Sequence, residues 1–153
     1  MFRVLRPPAP LDIGPSEKSL FLAGSIDMGN APRWQTTIED AFRDFDVVIL
    51  NPRREDWDAT WRQSIDHPRF VEQVEWELRA QQIADVIAMY FDPQSKAPVT
   101  LVELGLFARS GKLIVCCPEG FWRKGNVDVV CRMYDIPQVV TLDELIGAAR
   151  RRL

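Results

Sequence analysis

One carboxylate stands out in the stretch "TLVELGLFARSGK", which begins at Thr100 and otherwise has the composition of an apolar helix. Glu103 lies there between Val102 and Leu104. Thr100 and Glu103 have the spacing of a capping box, in which the two side chains satisfy free backbone amides at a helix start. The competing interpretation is chemical, because a carboxylate beside a second acid can attack an anomeric carbon or assist its leaving group.

A second acid of this kind occurs in the segment 68–83, whose apolar residues recur at helical spacing. Glu77 lies within the predicted inward-facing stripe, whose other members are Phe70, Val71, Val74, Leu78 and Gln81. The simpler interpretation is a paired acid at the margin of that stripe. Two carboxylates that lean toward one site would instead suit cleavage of a glycosidic bond, with one as the nucleophile and the other at the leaving group.

The elements that must position these acids follow from an alternation of short apolar runs with helical patterns. The predicted strands are 19–25, 46–52, 85–93, 112–120 and 138–140. The predicted helices are 32–44, 68–83, 99–110, 124–133 and 141–152. Continuous apolar runs indicate strands that are covered on both faces, and their alternation with helices makes the sheet parallel. The pattern predicts an α/β fold with a doubly wound parallel sheet of about five strands in a three-layer αβα arrangement.

The N-terminal segment differs from the rest of the chain. Residues 1–17 contain four prolines, a density that opposes regular secondary structure. We therefore expect an extended or mobile arm over 1–17 and a single domain over 18–153.

Composition and charge exclude several classes of function. The net charge is -3, and the cationic residues are scattered except in three short groups, so a nucleic-acid polymer is not expected as a partner. No apolar run approaches the roughly 20 residues that cross a bilayer, and no signal peptide is apparent, which predicts a cytoplasmic protein with no membrane partner. The three cysteines and the single histidine, His67, lack metal-binding or disulfide spacing, so neither a metal site nor a disulfide is expected.

Ligands of doubly wound sheets bind outside the carboxyl ends of the strands, where the strand order reverses. Four segments reach that edge, namely 24–27, 51–58, 91–99 and 118–126, and the Glu103 helix begins there. The residues of these segments that we expect to bind substrate are Gly24, Ser25, Asp27, Arg53, Trp57, Asp58 and Asp92. The long connection from 51 to 68 contains Trp57 and Trp61, and loops of this length are usually functional. Each ring could stack on a planar ligand such as a nucleobase, or one could simply cap the core.

Several motifs together resemble the nucleoside 2-deoxyribosyltransferase family, more particularly its divergent 2-deoxyribosyltransferase-like branch. They are "FLAGS" at the first predicted strand, an acid in the helix before "ADVIAMY", the stretch "ELGLFARSGKLIV", and "CP" followed by Gly125 and Asn126. The resemblance runs from about Leu20 to Val130, and its most specific part is the "ELG" at Glu103 with the glycine and lysine that lead into the next strand.

The resemblance implies a flavodoxin-like fold and an enzyme of nucleoside salvage that exchanges the base of a 2'-deoxynucleoside. It implies that Glu103 is the nucleophile that forms a covalent deoxyribosyl intermediate. It also implies that Glu77 is the acid that interacts with the base. Phe21 corresponds to an aromatic residue near the nucleophile. Asn126 corresponds to a residue whose side-chain amide, in relatives, reaches across a subunit interface to the sugar and the catalytic glutamate. A homo-oligomer with a nucleoside and a free base as its ligands is then expected, without a cofactor. Asp85 opens a strand in the family as it does here, and we interpret it as structural.

The chain also departs from the family pattern. Ala97 replaces the aspartate that binds the sugar, so the 5'-hydroxyl would require another partner such as Asp92. The chain ends in Arg150-Arg151-Arg152-Leu153, where relatives often carry an aromatic and carboxylate tail that closes the site. The cationic residues Arg53, Arg54, Arg123 and Lys124 would suit a phosphate. An N-glycoside hydrolase that acts on a nucleotide is therefore an alternative, and a non-catalytic nucleotide-binding module is another, because fold does not fix function.

Overall fold

The computed structural model describes residues 1–26 and 32–153, and within them the chain alternates strands and helices. The strands are β1 (Arg3–Leu5), β2 (Ser19–Gly24), β3 (Val48–Leu50), β4 (Val86–Tyr90), β5 (Leu113–Cys116) and β6 (Gln138–Val139). The helices are α1 (Trp34–Ala41), α2 (Pro68–Ile83), α3 (Pro98–Phe107), α4 (Lys124–Met133) and α5 (Leu142–Arg152). Each predicted strand and helix is therefore found, although the strands are shorter than the apolar runs because their carboxyl ends bend into loops.

The sheet is parallel throughout, with the strand order β1-β3-β2-β4-β5-β6. Without β1, the five predicted strands follow the order of a flavodoxin-like sheet. The order reverses at β2, because the chain leaves β2 for β3 on one side and later returns to β4 on the other. The carboxyl ends of β2 and β4 thus define the crevice in which a ligand is expected.

Helices cover both faces of the sheet and form a separate apolar core on each. On one face, α2, α3 and α4 pack against β2 and β4 through Trp76, Leu104, Val127 and their neighbours. On the other face, α1 and α5 contribute Ile38 and Leu145 to the second core. The prediction of a three-layer αβα arrangement is confirmed.

The N-terminal arm corrects one expectation. β1 pairs with β3 from Arg3 to Leu5, so the prediction that residues 1–17 lack regular structure is wrong for these three residues. The strand ends before the first proline, Pro7, which explains why the proline density does not prevent it. The indole nitrogen of Trp76 also donates to the carbonyl oxygen of Ala9 at 2.8 Å and holds the arm against α2. The division between an arm and a domain stays a prediction, but the arm contributes a strand to the same sheet.

The buried face of α2 also differs from the predicted stripe. Gln73, Trp76, Ala80 and Gln81 are its buried residues. Phe70, Val71, Val74 and Leu78, which the periodicity placed inward, are only half-buried. Phe70 and Val74 line an open cavity instead of the core, which accounts for apolar side chains that are not fully covered. His67 caps the helix, since its imidazole accepts a hydrogen bond from the amide of Phe70 at 3.3 Å.

Candidate active site

The start of α3 shows whether Thr100 and Glu103 form a capping box. The helix begins at Pro98, and its N-cap is Ala97, which has a left-handed backbone with φ 45° and makes no side-chain cap. Proline suits the first helical position because its missing N–H would have no helical partner there. Thr100 is therefore the third helical residue and not the N-cap. The capping-box interpretation is wrong, and the Glu103 carboxylate does not fold back onto the helix start.

Glu103 is instead a buried acid in the second turn of α3. The residue is 7% exposed, and its Oε2 accepts a hydrogen bond from Nε2 of Gln81 on α2. Burial raises the pKa of Glu103 to about 8, and the nearby charge of Glu77 acts in the same direction, while the Gln81 hydrogen bond opposes both. The carboxyl group of Glu103 can therefore gain or lose a proton near neutral pH.

Glu77 supplies the second carboxyl group of the same region. Its Oε1 accepts a hydrogen bond of 2.7 Å from Nε2 of Gln73, one helical turn earlier on α2. Burial raises the pKa of Glu77 to about 7, although the hydrogen bond from Gln73 works against this rise. The two acids interact, so between pH 7 and 8 the pair holds about one proton between them.

Both carboxyl groups line one cavity at the carboxyl edge of the sheet. Its volume is about 500 Å³, which lies within the range of small-molecule sites. The predicted site residues that line the cavity are Phe21, Gly24, Ser25, Arg53, Trp57, Glu77 and Glu103. The structure therefore brings together both predicted catalytic residues and five of the predicted substrate-binding residues.

The end of β2 forms part of the cavity wall. A Cβ atom on Gly24 would lie 2.4 Å from the carbonyl oxygen of Tyr90 and 2.6 Å from the Trp34 ring, so only glycine fits there. Ser25 is buried next to it, and its hydroxyl accepts a hydrogen bond from the amide of Asp92 at 3.2 Å. These contacts tie the ends of β2 and β4 together beside the two carboxyl groups.

The long connection between β3 and α2 places its two tryptophans in different surroundings. Trp57 lines the cavity, whereas Trp61 is 9% exposed and does not. The two rings pack edge to face with their centroids 5.0 Å apart, and the Arg54 guanidinium lies 5.2 Å from the Trp61 ring centre. Trp61 is thus packed against the loop, while Trp57 lies on the cavity wall. Arg53 and Arg54 complete this wall of the cavity.

Three other predicted site residues lie apart from the cavity lining. Asp92 is buried, and its Oδ1 accepts a hydrogen bond of 2.9 Å from the amide of Gln94. Asp58 is exposed and bonds to Thr60 in the same way. Asn126 is exposed on α4. The predicted Asp27 lies outside the described residues. The roles assigned to these four residues stay predictions.

Sequence reasoning missed two residues of the site, Gln73 and Gln81. Both are buried, and each donates a hydrogen bond from its amide to one of the two carboxylates. A signal was present in the sequence, because Gln73, Glu77 and Gln81 recur every four residues and so share one face of a helix. The periodicity places Gln81 on the inward stripe, but it does not indicate what the amide of this residue contacts.

No cluster of three or more His, Cys, Asp or Glu side chains in residues 1–26 and 32–153 has a metal-binding arrangement. Cys116 and Cys117 are buried at the carboxyl end of β5, Cys131 is buried on α4, and all three are free thiols. No helix in the same residues is long and apolar enough to cross a membrane.

The fold and the cavity define a flavodoxin-like α/β protein in which one buried and one half-buried glutamate line a cavity at the carboxyl edge of the sheet. The sequence model of a family described as nucleoside 2-deoxyribosyltransferase like matches residues 17–121, more than half of the chain, and the protein belongs to that family. Membership indicates an enzyme of the glycosyl-transfer type whose ligands are nucleosides or nucleobases. The match covers both glutamates and ends before Asn126.

A solved structure supports the fold. It is described as a conserved protein from Enterococcus faecalis V583. The structural match covers 90% of the present chain and 100% of that protein's chain. The TM-score is 0.63 and the sequence identity is 11%, so the likeness concerns the fold alone. A search of curated proteins found no match.

Proposed function

We propose that the protein is a nucleoside 2'-deoxyribosyltransferase, which moves deoxyribose from one nucleobase to another through a covalent intermediate on Glu103. The observation that carries this proposal is the presence of two carboxyl groups, of the buried Glu103 and the half-buried Glu77, in one cavity at the carboxyl edge of the sheet. The pKa of Glu103 is raised to about 8 and that of Glu77 to about 7, so in the free cavity the shared proton lies mainly on Glu103. The proposed roles therefore require the bound base to draw this proton to Glu77 by accepting a hydrogen bond from it.

In the first half of the reaction, a carboxylate oxygen of Glu103 forms a bond to C1' of the sugar. The N-glycosidic bond breaks, and its electron pair leaves with the base nitrogen. Glu77 donates its proton to that base, directly or through a water molecule, so that a neutral base departs. Trp57, on the same wall as Arg53, offers a ring on which the base can stack.

In the second half, another base reverses these steps. Its nitrogen attacks C1', the ester bond to Glu103 breaks, and Glu77 accepts the proton that the incoming base loses. Two successive displacements retain the configuration at C1'. The pair needs only one proton for this cycle, and a base whose nitrogen accepts a hydrogen bond from Glu77 favours the state in which Glu103 is ionised.

A second candidate is hydrolysis of the N-glycosidic bond of a nucleotide. Arg53 and Arg54 line the same cavity as the two acids, and a guanidinium group favours a phosphate as a ligand. Water would then replace the second base as the acceptor.

One experiment separates these activities. A deoxynucleoside or its 5'-monophosphate is incubated with the protein, with and without a free base, and the products are separated by chromatography. A new nucleoside that forms only with added base supports the transferase. Free sugar or sugar phosphate without added base supports the hydrolase. Tight binding without either product would contradict both and leave a nucleotide-binding module.

We also propose that the protein functions as a homo-oligomer in which Asn126 serves a neighbouring site. Supporting this, α3 and α4 pack on the same face of the sheet and expose large apolar side chains. They are Val99, Val102, Leu106, Val129 and Met133, with Trp122 just before α4. Asn126 lies one helical turn before Val129 on α4 and four residues after Trp122, and all three residues are exposed. Exposed apolar patches of this kind are typical of protein interfaces.

Complementation between two inactive variants tests this arrangement. Glu103→Ala and Asn126→Ala proteins are unfolded together, refolded as a mixture and assayed for base exchange. A mixed dimer contains one site with both native residues only if Asn126 acts across the interface, so activity should return in the mixture. Activity that stays at the level of the separate variants would contradict the proposal, as would a monomeric mass by light scattering.

A further inference from the structure

Gln81 connects the two helices that carry the acids. Its side chain is fully buried, and its amide nitrogen has two acceptors, the Glu103 carboxylate on α3 and, at 3.2 Å, the backbone carbonyl oxygen of Glu77 on α2. An amide NH₂ group has two hydrogens, so both are used. A residue of α2 therefore reaches across to the proposed nucleophile, which is 22 positions away in the sequence.

Gln73 repeats this arrangement for the other acid. Its amide nitrogen donates to the Glu77 carboxylate at 2.7 Å and to the backbone carbonyl oxygen of Pro52 at 2.9 Å. Each glutamine thus binds one carboxylate and one backbone carbonyl. The two buried amides lie two helical turns apart, one on either side of Glu77.

The backbone carbonyls determine which way each amide points. A carbonyl oxygen can only accept a hydrogen bond, so the NH₂ group and not the oxygen of the glutamine must face it. The same NH₂ group then faces the carboxylate. Because an NH₂ donor favours the ionised form of a carboxylate over the protonated form, each glutamine supports the charge of its acid.

The glutamine oxygens argue against a purely structural role. Oε1 of Gln73 and Oε1 of Gln81 are buried and have no hydrogen-bond partner in the described part of the chain. An unsatisfied buried carbonyl destabilises a fold, so an apolar side chain of the same length would serve packing better. The protein retains amides at both positions, where their donors contact the two acids.

We propose that Gln81 and Gln73 are positioning residues, which fix the orientation of Glu103 and Glu77 and keep each of them able to ionise inside the cavity. This inference rests on the proposed function, in which Glu103 must be ionised to attack the sugar. The other charged groups that line the cavity are Arg53 and Arg54, on the connection that follows β3. Arg54 pairs with Asp56 and Glu72, and the donors that contact the two carboxylates in the described hydrogen bonds are the amides of Gln81 and Gln73.

The test is a titration of Glu103 that does not depend on activity. Its side-chain carboxyl carbon is followed by ¹³C NMR over pH in the native protein, in Gln81→Met and in Gln82→Met. Methionine has nearly the length of glutamine but no amide donor, and Gln82 is an exposed neighbour that serves as the control. Loss of a hydrogen bond to a charged group should move the midpoint upward by about one to two pH units in Gln81→Met alone.

The same variants are then assayed for turnover. In Gln81→Met the kcat near pH 7 should fall about tenfold to a hundredfold with little change in KM, and it should recover as pH rises through the new midpoint. Gln73→Met should behave in the same way in a titration of Glu77. Gln82→Met should match the native protein in every measurement.

Two results would overturn the proposal. One is a Gln81→Met protein that is folded and has the native titration midpoint. The other is failure of both Gln81→Met and Gln81→Leu to fold, which would assign the glutamine to the core. If no turnover occurs in the native protein, the proposed function fails, whereas the shifted NMR midpoint would still establish the effect of Gln81 on Glu103.

Discussion

Acids lie at both edges of the parallel sheet, and their surroundings differ. At the amino edge, Oδ2 of Asp85 accepts hydrogen bonds from the amide and the hydroxyl of Ser19, at 2.8 and 2.9 Å, and the residue is exposed to solvent. At the carboxyl edge, Glu103 is almost completely buried and accepts a hydrogen bond from one glutamine. Asp85 thus links β2 to β4, as the structural interpretation of this residue expected, whereas Glu103 faces a cavity.

The contrast distinguishes a carboxylate that supports the fold from one that opposes it. A carboxylate that gains donors on folding and stays near water adds to stability. A carboxylate that is buried with one donor beside a second acid has a raised pKa, and its ionised form destabilises the protein. Proteins retain such groups mainly where chemistry requires them. Four predictions test this difference between the two edges.

The largest effect is expected for Glu103→Gln. The variant keeps the shape of the side chain but lacks a nucleophile, so base exchange should fall by about 10⁴-fold or more. Turnover is measured by chromatography of the exchanged nucleoside, and circular dichroism checks the fold. The matched control is Glu75→Gln, an exposed position on α2 that should keep native turnover. Substantial exchange by a folded Glu103→Gln protein would remove Glu103 from the mechanism.

The next effect concerns Glu77→Gln, which cannot donate a proton to the departing base. We expect kcat to fall by about 10² to 10³, the range of general acid catalysis. The deficit should shrink with a deoxyribosyl donor whose leaving group is stable as an anion, since that group needs no proton. Equal losses with both kinds of donor would show that Glu77 does not act as the acid.

The third prediction uses the pH dependence of stability. The folded pKa of Glu103 is about 8, against an ordinary value of 4.5, so the folded protein holds a proton that the unfolded chain has lost between these pH values. The free energy of unfolding should therefore decrease as pH rises from about 5 to 8. Glu103→Gln should remove roughly 3 kcal/mol of this decrease. Urea unfolding at several pH values measures it, and parallel curves for the two proteins would contradict the raised pKa.

The smallest effect is expected at the opposite edge. Asp85→Ala removes the acceptor for both Ser19 donors and should lower the free energy of unfolding by about 1 to 2 kcal/mol. The kcat for base exchange should stay within about twofold of native, because Asp85 precedes β4 at the opposite edge of the sheet and does not line the cavity. A large loss of turnover in a folded Asp85→Ala protein would erase the distinction between the two edges.

Much of the fold follows from local pattern. The apolar runs and helical spacings predicted every strand from β2 to β6 and all five helices, with α2 bounded at 68 and 83 as observed. The same patterns nominated Glu103 and Glu77, because a charge within an apolar stripe is visible without coordinates. Such features depend on residues that are close in the sequence, and these are what periodicity and turn chemistry report.

Other features required the tertiary structure, because they depend on residues that are distant in the sequence. β1 is three residues long, and it is a strand because it pairs with β3, more than 40 positions away in the sequence. The helix start at Pro98, and not at Thr100, depends on the left-handed turn at Ala97. The choice of Trp57 over Trp61 as the cavity ring depends on how the long loop folds.

The ionisation of the two glutamates shows the same division. Their presence, and their spacing from the motifs around them, were determined by the sequence alone. Whether each could be ionised near neutral pH was decided by burial, by their mutual repulsion and by the amides of Gln73 and Gln81. These terms depend on distances between atoms of different elements, and a pKa is therefore a property of the folded site and not of the residue type.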